Sequence, residues 1–261
     1  MNETDELREQ LLRLKLSRIA ELYQAEADRA AQLKLSYTGY LNRLVTEELL
    51  AKTDRSIQCR LKNARFPGLK TIEGFDFTFQ PSVNELQVKE LAELGFLDRS
   101  ENVILLGPPG VGKTHLAIGL GVKACMMRKS VSFVQALGLL DDLAAAVAIK
   151  GLADRLEQLS RLDLLIIDEL GYLPMDKVRA NLFFQLVNRC YERTSIIIST
   201  NRAFKQWGEV LSDDVIAGAV LDRLLHHGHI IPIQGESYRI RGKLNPSLDQ
   251  GGSVGDNTKM T

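Results

Sequence analysis

The consecutive residues from Gly107 to Thr114 have the types and the spacing that bind a nucleoside triphosphate. They spell Gly-Pro-Pro-Gly-Val-Gly-Lys-Thr after the apolar run Val103 to Leu106, which is the pattern of a phosphate-binding loop between a strand and a helix. Glycines let successive backbone N–H groups point at phosphate oxygens, and the helix that follows adds its positive N-terminal dipole. Lys113 is expected to reach the β- and γ-phosphates. The predicted nucleotide contacts are Gly107, Pro108, Pro109, Gly110, Val111, Gly112, Lys113, Thr114 and His115.

A second chemical feature is the apolar run Leu164 to Ile167, which ends in the carboxylates Asp168 and Glu169. Thr114 and Asp168 are predicted to hold Mg²⁺, partly through water, because this ion takes oxygen ligands and keeps several waters. Glu169 follows on the opposite side of an extended chain, where it can approach the γ-phosphate and orient or deprotonate the attacking water. Together these residues predict hydrolysis of the bound triphosphate.

The stretch between these two motifs favours ATP as the triphosphate. It has room for an additional strand, Val131 to Val134, and this insertion together with Glu169 is typical of the ATPase branch of phosphate-loop folds. The sequence contains no Asn-Lys-x-Asp motif for reading guanine. The predicted cofactors are therefore ATP and Mg²⁺.

Asn201 and Arg223 are two further candidates for the hydrolysis reaction. Asn201 follows the apolar run Ser195 to Thr200, which we expect to lie between the two nucleotide-site strands, so its amide can position the attacking water. The alternative is an ordinary strand-ending Asn in a turn. Arg223, in the helical stretch Val215 to Leu225, is suited to reach the γ-phosphate of a neighbouring subunit in trans, which requires a homo-oligomer. Its alternative is a local ion pair, for example with Asp222.

Three histidines, His226, His227 and His229, cluster around Gly228. No carboxylate or cysteine stands at a useful spacing in the sequence, so a charge interaction at a helix end is favoured over a metal site. We predict no metal other than Mg²⁺.

Short apolar runs alternate with helical patterns from residue 75 onward, which predicts an α/β fold with a five-stranded parallel sheet. The strands are expected at Val103–Leu106, Val131–Val134, Leu164–Ile167, Ser195–Thr200 and Ile230–Ile233, with helices starting near Lys113, Ala136, Asp176 and Ser212. The predicted domains are a small helical N-terminal domain at 1–54, a basic linker at 55–74, an ATPase domain at 75–245 and a disordered tail at 246–261. Ser36 is a plausible cap for a helix in the first of these.

Basic residues are the candidates for contact with nucleic acid. The stretch from Arg55 to Ile72 contains no acidic residue, and Pro67-Gly68 breaks any helix there. Its side chains can meet DNA phosphates or form an ordinary solvated surface. A second group lies in a predicted helical element from Leu139 to Leu159, for which a solvated helix face is an equal explanation. The candidates are Arg55, Arg60, Lys62, Arg65, Lys70, Lys150 and Arg155.

Composition limits the class of protein. The chain has 33 basic and 33 acidic residues, so a nucleic-acid role has to rest on local charge and not on the total. Its three cysteines form no Cys-x-x-Cys pair or disulfide framework, which favours a reducing cytoplasmic location. No apolar run is long enough to span a bilayer. We expect a cytoplasmic protein without membrane contact.

These motifs resemble the AAA+ ATPases of the helicase-loader clade, and within it the IstB family, the ATP-binding helpers of insertion-sequence transposition. The resemblance covers about residues 5 to 245 and is carried by Gly107–Thr114, Asp168-Glu169, Ser199-Thr-Asn201, Asp222-Arg223-Leu224 and Ser237-Tyr-Arg239. It implies ATP-driven assembly of a multimer on duplex DNA with little sequence preference, followed by recruitment or stimulation of a transposase. By the same resemblance Asn201 is sensor 1, Arg223 the arginine finger and Arg239 a sensor 2 candidate.

Two alternatives stay open at this point. The nucleotide motifs are shared with DnaC-type loaders, for which the partner is a replicative helicase and the preferred DNA is single-stranded. A phosphate-loop small-molecule kinase is more distant, since Glu169, Asn201 and Arg223 speak against it. Few residues follow the last predicted strand, so we expect no full lid domain, and Arg239 would then lack the platform on which sensor 2 usually stands.

Overall fold

The computed structural model describes residues 3–239 of the chain. Two predicted regions lie outside the described residues: the end of the ATPase domain at 240–245 and the disordered tail at 246–261. The expectation that a full lid domain is missing rests on residues 234–261, most of which are also outside the described residues. None of the helices in the described part is both long and apolar enough to cross a membrane.

Three helices form the N-terminal part: α1 (Glu3–Arg13), α2 (Ser17–Gln32) and α3 (Tyr37–Ala64). Ser36 caps α3 as predicted, because its hydroxyl accepts a hydrogen bond from the backbone N–H of Gly39 at 3.1 Å. Apolar side chains of α2 and α3, among them Ile19 and Leu44, are buried between the two helices. This part of the chain is therefore an antiparallel helical hairpin with α1 packed against it.

Helix α3 extends further than the sequence predicts. We expected a linker from residue 55, but the chain stays helical to Ala64 and ends there with Arg65 in a left-handed conformation at φ 59°. The end of the helix is fixed by packing: Ala64 is fully buried, and Arg60 donates from Nε to the carbonyl of Arg128 at 2.6 Å. The N-terminal helices are thereby joined to the part that contains the sheet through a continuous helix, and the non-helical connection begins only near Pro67.

The predicted five-stranded parallel sheet is confirmed. Its strands are β1 (Asn102–Leu106), β2 (Val131–Gln135), β3 (Leu164–Leu170), β4 (Ser195–Thr200) and β5 (Gly228–Pro232), in the spatial order β2-β3-β4-β1-β5. Strand β4 lies between β1 and β3, as the prediction for Asn201 required. The carboxyl ends of the two motif strands and of β4 therefore meet at one edge of the sheet.

Helices cover both faces of the sheet, because side chains alternate along each buried strand. Ile166 and its neighbour Ile167 point into two different hydrophobic cores, one containing α6 (Lys113–Met126) and the other containing α9 (Lys177–Cys190). The predicted element from Leu139 to Leu159 is two helices, α7 (Ala136–Ala148) and α8 (Leu152–Leu159). The helices are α4 (Glu85–Ala92), α5 (Gly95–Asp98), α6 (Lys113–Met126), α7 (Ala136–Ala148), α8 (Leu152–Leu159), α9 (Lys177–Cys190), α10 (Trp207–Leu211) and α11 (Asp214–His226), with a 3₁₀ turn at Phe204–Gln206.

Candidate nucleotide-hydrolysis site

The predicted phosphate-binding loop joins β1 to α6, so the backbone N–H groups at the start of α6 face the loop. Gly112 stands immediately before the helix with φ at 100°, a conformation that L side chains rarely adopt. A Cβ at this position would lie 2.5 Å from Cε2 of Phe75. Both the turn and the close approach of Phe75 therefore require glycine here.

Lys113, the first residue of α6, points its ammonium group at the loop. Its Nζ donates to the carbonyl oxygens of Gly107 and Pro108, both at 2.7 Å. Burial lowers the pKa of Lys113, while the nearby carboxylate of Asp168 opposes this effect. The loop thus concentrates one positive charge and several N–H donors in a small space, which suits a polyphosphate.

Thr114 and Asp168 meet across the gap between α6 and β3. The Thr114 hydroxyl donates to the two carboxylate oxygens of Asp168 at 3.1 and 3.0 Å, and Asp168 is almost completely buried. A hydroxyl oxygen and a carboxylate at this distance are hard oxygen ligands of the kind that Mg²⁺ takes, with water in the remaining positions. The pair fits the predicted metal site.

Glu169 differs from the expected extended geometry. Its φ is 60°, and the pairing of β3 with β4 changes register between Ile167 and Leu170. The backbone N–H of Glu169 donates to the hydroxyl of Ser199 on β4 at 2.9 Å, and that hydroxyl donates in turn to Asp168. The Glu169 side chain is exposed and lines the cleft, although its backbone is not extended as expected; its access to a γ-phosphate stays a prediction.

The cleft has a volume of ≈ 910 Å³ and is lined by residues from five parts of the chain. This is the upper range of ligand-binding pockets. Predicted residues Pro109 to His115, Glu169, Asn201 and Arg239 all line it. Gly107 and Pro108 contribute the carbonyls that Lys113 contacts, and Asp168 lies beneath it. The structure therefore brings the predicted nucleotide residues together, although they are far apart in sequence.

Arg239 reaches this cleft from a short segment that follows β5. Ile233 donates its N–H to the carbonyl of Leu106 at 2.7 Å, and Tyr238 donates its N–H to the carbonyl of Gly110 at 3.0 Å. These bonds hold residues 233–239 against the phosphate-binding loop. The segment therefore positions Arg239 at the cleft, and its role as sensor 2 stays a prediction.

Several residues of the cleft were not found from the sequence. They come from the stretch 67–80 and from the loop after β3, where nothing in the local spacing indicates a ligand; they include Phe75, Asp76, Gln80 and Tyr172. Lys70, which we predicted to meet DNA, also lines this cleft.

Arg223 does not line the cleft of its own chain. It lies on α11, where Nε donates to Oδ1 of Asn188 at 3.0 Å and Nη1 donates to the carbonyl of Ala219 at 2.9 Å. Within the described part of the chain it forms no ion pair, so the alternative of a local salt bridge with Asp222 is not supported. Arg223 is therefore separated from its own nucleotide site.

The histidine cluster has a carboxylate neighbour that the sequence did not reveal. Glu192, in the turn between α9 and β4, brings a ligand-capable oxygen within 4.8 Å of ring nitrogens of His226 and His227, and all three side chains are exposed. The ring nitrogen Nδ1 of His226 lies 2.8 Å from the hydroxyl of Tyr191. The expectation that no carboxylate accompanies these histidines is wrong, because the packing of α11 against α9, and not spacing along the chain, places Glu192 here.

The seven basic residues proposed for DNA fall into three groups. Arg55 and Arg60 donate to protein oxygens, and Arg155 pairs with Asp142 at 2.6 Å. Lys70 is in the cleft. Lys62, Arg65 and Lys150 lie outside the cleft, are exposed, and have no side-chain hydrogen bond or ion pair within residues 3–239.

The family model and the similar proteins agree in describing ATP-binding proteins of one family. A family model described as IstB-like ATP binding protein matches residues 9–246. The chain is 48% identical to a provisionally named ATP-binding protein of insertion sequence IS21 from Pseudomonas aeruginosa, over 91% of this chain and 90% of that protein. It is 45% identical to the corresponding provisionally named protein of insertion sequence IS5376 from Geobacillus stearothermophilus, over 88% of this chain and 92% of that protein.

Among solved structures, AMPPCP-bound DnaA from Aquifex aeolicus is similar with a TM-score of 0.56 and 19% identity. The match covers 72% of this chain and 57% of that one. At this identity the likeness concerns the fold alone, and it agrees with the AAA+ architecture predicted from the sequence.

Proposed function

This chain belongs to the family of IstB-like ATP-binding proteins, and on that premise we propose that it hydrolyses ATP and assembles on duplex DNA to recruit or stimulate a transposase. The observation that carries the proposal is the arrangement of one nearly complete hydrolysis site. Lys113, Thr114, Asp168, Glu169 and Asn201 surround one cleft or its floor. Arg223 lies on another surface of the same molecule.

Each residue has a role that its position supports. The N–H groups of the loop and the Lys113 ammonium bind the β- and γ-phosphates. When the phosphates bind, they replace the carbonyls of Gly107 and Pro108 as acceptors for the Lys113 ammonium. Thr114 and Asp168 hold Mg²⁺, which when bound neutralises charge on the phosphates. Glu169 accepts a proton from the attacking water, whose oxygen bonds to the γ-phosphorus as the bond to the β-phosphate oxygen breaks. Asn201 orients that water, and ADP and phosphate leave.

Arg223 completes the site of a neighbouring subunit. A guanidinium is always charged and donates several hydrogen bonds from one plane, so it stabilises charge that develops on the transferred phosphoryl group. Arg223 does not line its own cleft, and its guanidinium is held by Asn188 and by the carbonyl of Ala219, so it serves a neighbour's site and not its own. ATP bound between subunits then links nucleotide state to assembly, and Arg239 adds a second positive charge to the cleft from the same chain.

DNA contact is proposed for the exposed basic side chains without protein partners, Lys62, Arg65 and Lys150. Contacts of this kind bind phosphates and carry little sequence information, which fits a target with little sequence preference. The same chemistry serves a helicase loader, so the preference for duplex or single strands decides between the two functions.

The test is electrophoretic mobility of a labelled duplex and of its separated strands, with and without ATP. The wild-type protein should shift the duplex in the presence of ATP, and Lys113→Ala should not. Replacing Lys62, Arg65 and Lys150 together by Ala should weaken the shift at every sequence, while Lys177→Ala, another exposed lysine, is the matched control. Binding to single strands only would rule out the proposal and favour a helicase loader.

A further inference from the structure

We propose that Ser199 is a positioning residue for ATP hydrolysis, because its single hydroxyl fixes both Asp168 and Glu169. The inference rests on the proposed ATPase activity and adds a residue to it. Ser199 is among the residues that line the cleft, but in this role it binds neither the phosphates nor the attacking water. It acts through the two carboxylate residues of β3.

The need for such a residue comes from the register of the sheet. Strands β3 and β4 pair residue by residue up to Ile167 and Ile198, and the pairing resumes at Leu170 and Thr200. Two residues of β3, Asp168 and Glu169, therefore stand opposite the single residue Ser199. This is a β-bulge, which leaves the extra residue outside the regular ladder and redirects its side chain.

The bulge places Glu169 in a left-handed conformation, at φ 60°, which costs free energy for a residue with a side chain. Its N–H group also loses the ordinary partner on the neighbouring strand. The Ser199 hydroxyl accepts this N–H at 2.9 Å and so satisfies a donor that the ladder does not. The hydrogen bond holds the backbone that aims Glu169 into the cleft.

The same hydroxyl has one proton to give, and it gives it to Oδ1 of Asp168. That oxygen also accepts from Thr114, so one carboxylate is held from α6 and from β4 at once. Ser199 and Asp168 are both nearly inaccessible to solvent, with exposures of 1% and 3%, so water does not replace the bond readily. Only a side-chain hydroxyl is small enough and able to accept and donate in this way.

The experiment compares Ser199→Ala, Ser199→Thr and Ser195→Ala in the full-length protein. Ser195 is the matched control: it lies on the same strand, is equally buried, and donates to the carbonyl of Phe96 at 3.2 Å, away from the cleft. The measurements are kcat, KM for ATP, the Mg²⁺ concentration that gives half-maximal rate, and the thermal melting temperature.

Ser199→Ala should lower kcat by about tenfold to about 100-fold, since a misplacement of about 1 Å in a reacting group can have an effect of this size. It should raise the Mg²⁺ concentration for half-maximal rate, with KM for ATP within about twofold of wild type, because the phosphate contacts remain. Ser199→Thr keeps the hydroxyl and should recover most of the activity. Ser195→Ala should leave kcat and the Mg²⁺ requirement unchanged.

Equal kcat and Mg²⁺ dependence for Ser199→Ala and Ser195→Ala would overturn the proposal. A loss of kcat in both variants in proportion to the fall in their melting temperatures would also overturn it. Should Ser199→Ala lack a folding transition, Ser199→Cys replaces it, since a thiol is a weaker donor of similar shape, and the same Mg²⁺ effect in milder form is expected. Failure of the wild-type protein to hydrolyse ATP would instead overturn the proposed function on which Ser199's role depends.

Discussion

The guanidinium of Arg223 lies over the ring of Phe184, with Cζ 5.3 Å from the ring centroid. The ring belongs to α9, one turn before Asn188, whose amide oxygen accepts the Arg223 Nε–H. Stacking and a hydrogen bond from the same helix therefore fix the plane of the guanidinium, and the bond from Nη1 to Ala219 fixes its direction along α11. A side chain held this way would lose less conformational entropy in the proposed contact with a phosphate of a neighbouring subunit.

The first prediction concerns action in trans. Arg223→Ala and Lys113→Ala should each abolish most ATP hydrolysis, but an equal mixture should regain part of it. An interface that pairs the intact loop of one variant with the intact arginine of the other forms at about a quarter of the sites if subunits mix at random. Phosphate release over a range of mixing ratios measures this. Mixing Arg223→Ala with the double variant lacking both groups is the control, and no recovery at any ratio in the first mixture would contradict action in trans.

The second prediction concerns Glu169. Glu169→Gln should lower kcat by about 10²-fold to about 10⁴-fold, the usual range for removing a general base, because an amide does not accept the proton of water. ATP binding, followed by fluorescence of a labelled nucleotide, should be retained, and the ATP-bound assembly should persist. Glu209→Gln, a change at an exposed glutamate outside the cleft, should have no effect. Hydrolysis by Glu169→Gln at the wild-type rate would show that another group activates the water.

The third prediction concerns Glu48, a buried carboxylate on α3. It accepts the backbone N–H groups of Arg18 and Ile19 at 2.8 and 3.0 Å and so caps the start of α2 from another helix. Glu48→Ala should destabilise the N-terminal helices by about 1–3 kcal/mol, because it leaves buried donors unpaired. Denaturation followed by circular dichroism measures the loss, with Glu47→Ala, a half-exposed neighbour, as control.

Arg55 allows a test of whether a basic residue serves the stability of the N-terminal helices or contact with DNA. It donates to Ser17 at 2.7 Å and to Glu48 at 3.1 Å, which binds it to the N-terminal helices. Arg55→Ala should therefore lower the melting temperature and leave the salt dependence of DNA binding unchanged. Lys150→Ala should do the reverse and reduce the slope of log K against log salt by about one. A change of slope for Arg55→Ala without loss of stability would restore Arg55 as a DNA contact.

The fourth prediction concerns pH. Hydrogen bonds from Arg99, and then the interaction with His229, lower the pKa of Glu101 from 4.5 to about 2. The contacts are 2.6 and 2.9 Å to Arg99 and 2.8 Å to His229. Because the folded-state pKa lies below the unfolded one, the stabilisation is fully present above pH 4.5 and is lost as the pH falls towards 2.

Glu101→Gln should therefore be less stable than wild type at pH 7, and the difference should shrink between pH 4.5 and pH 2. Urea denaturation at several pH values measures it. Glu93→Gln, at an exposed position, is the control. A stability difference that stays constant over this interval would show that the carboxylate charge of Glu101 does not contribute.

Much of this molecule followed from local patterns in the sequence. The residues Gly107–Thr114 predicted the strand, loop and helix that the structure contains, because glycine readily adopts the φ of 100° found at Gly112 and a helix start offers several free N–H groups. Alternating apolar runs predicted five parallel strands, and the expected sheet placed β4 between β1 and β3, while the positions of β2 and β5 were not predicted. Ser36 predicted a cap because its effect lies within its own next three residues.

The tertiary structure decided which distant side chains meet. Helix α3 runs through residues 55–64 because its last turns pack on the ATPase core, a contact that local composition does not encode. The bulge that joins Ser199 to Asp168 and Glu169 depends on the register between β3 and β4. The approach of Glu192 to His226 likewise depends on how the distant elements that carry these residues pack together. Spacing along the chain determines periodicity and backbone hydrogen bonding over a few residues. Sheet order and register determine contacts between residues tens of positions apart. Such contacts hold Arg223 against Phe184 and Asn188 of α9 and not in its own cleft.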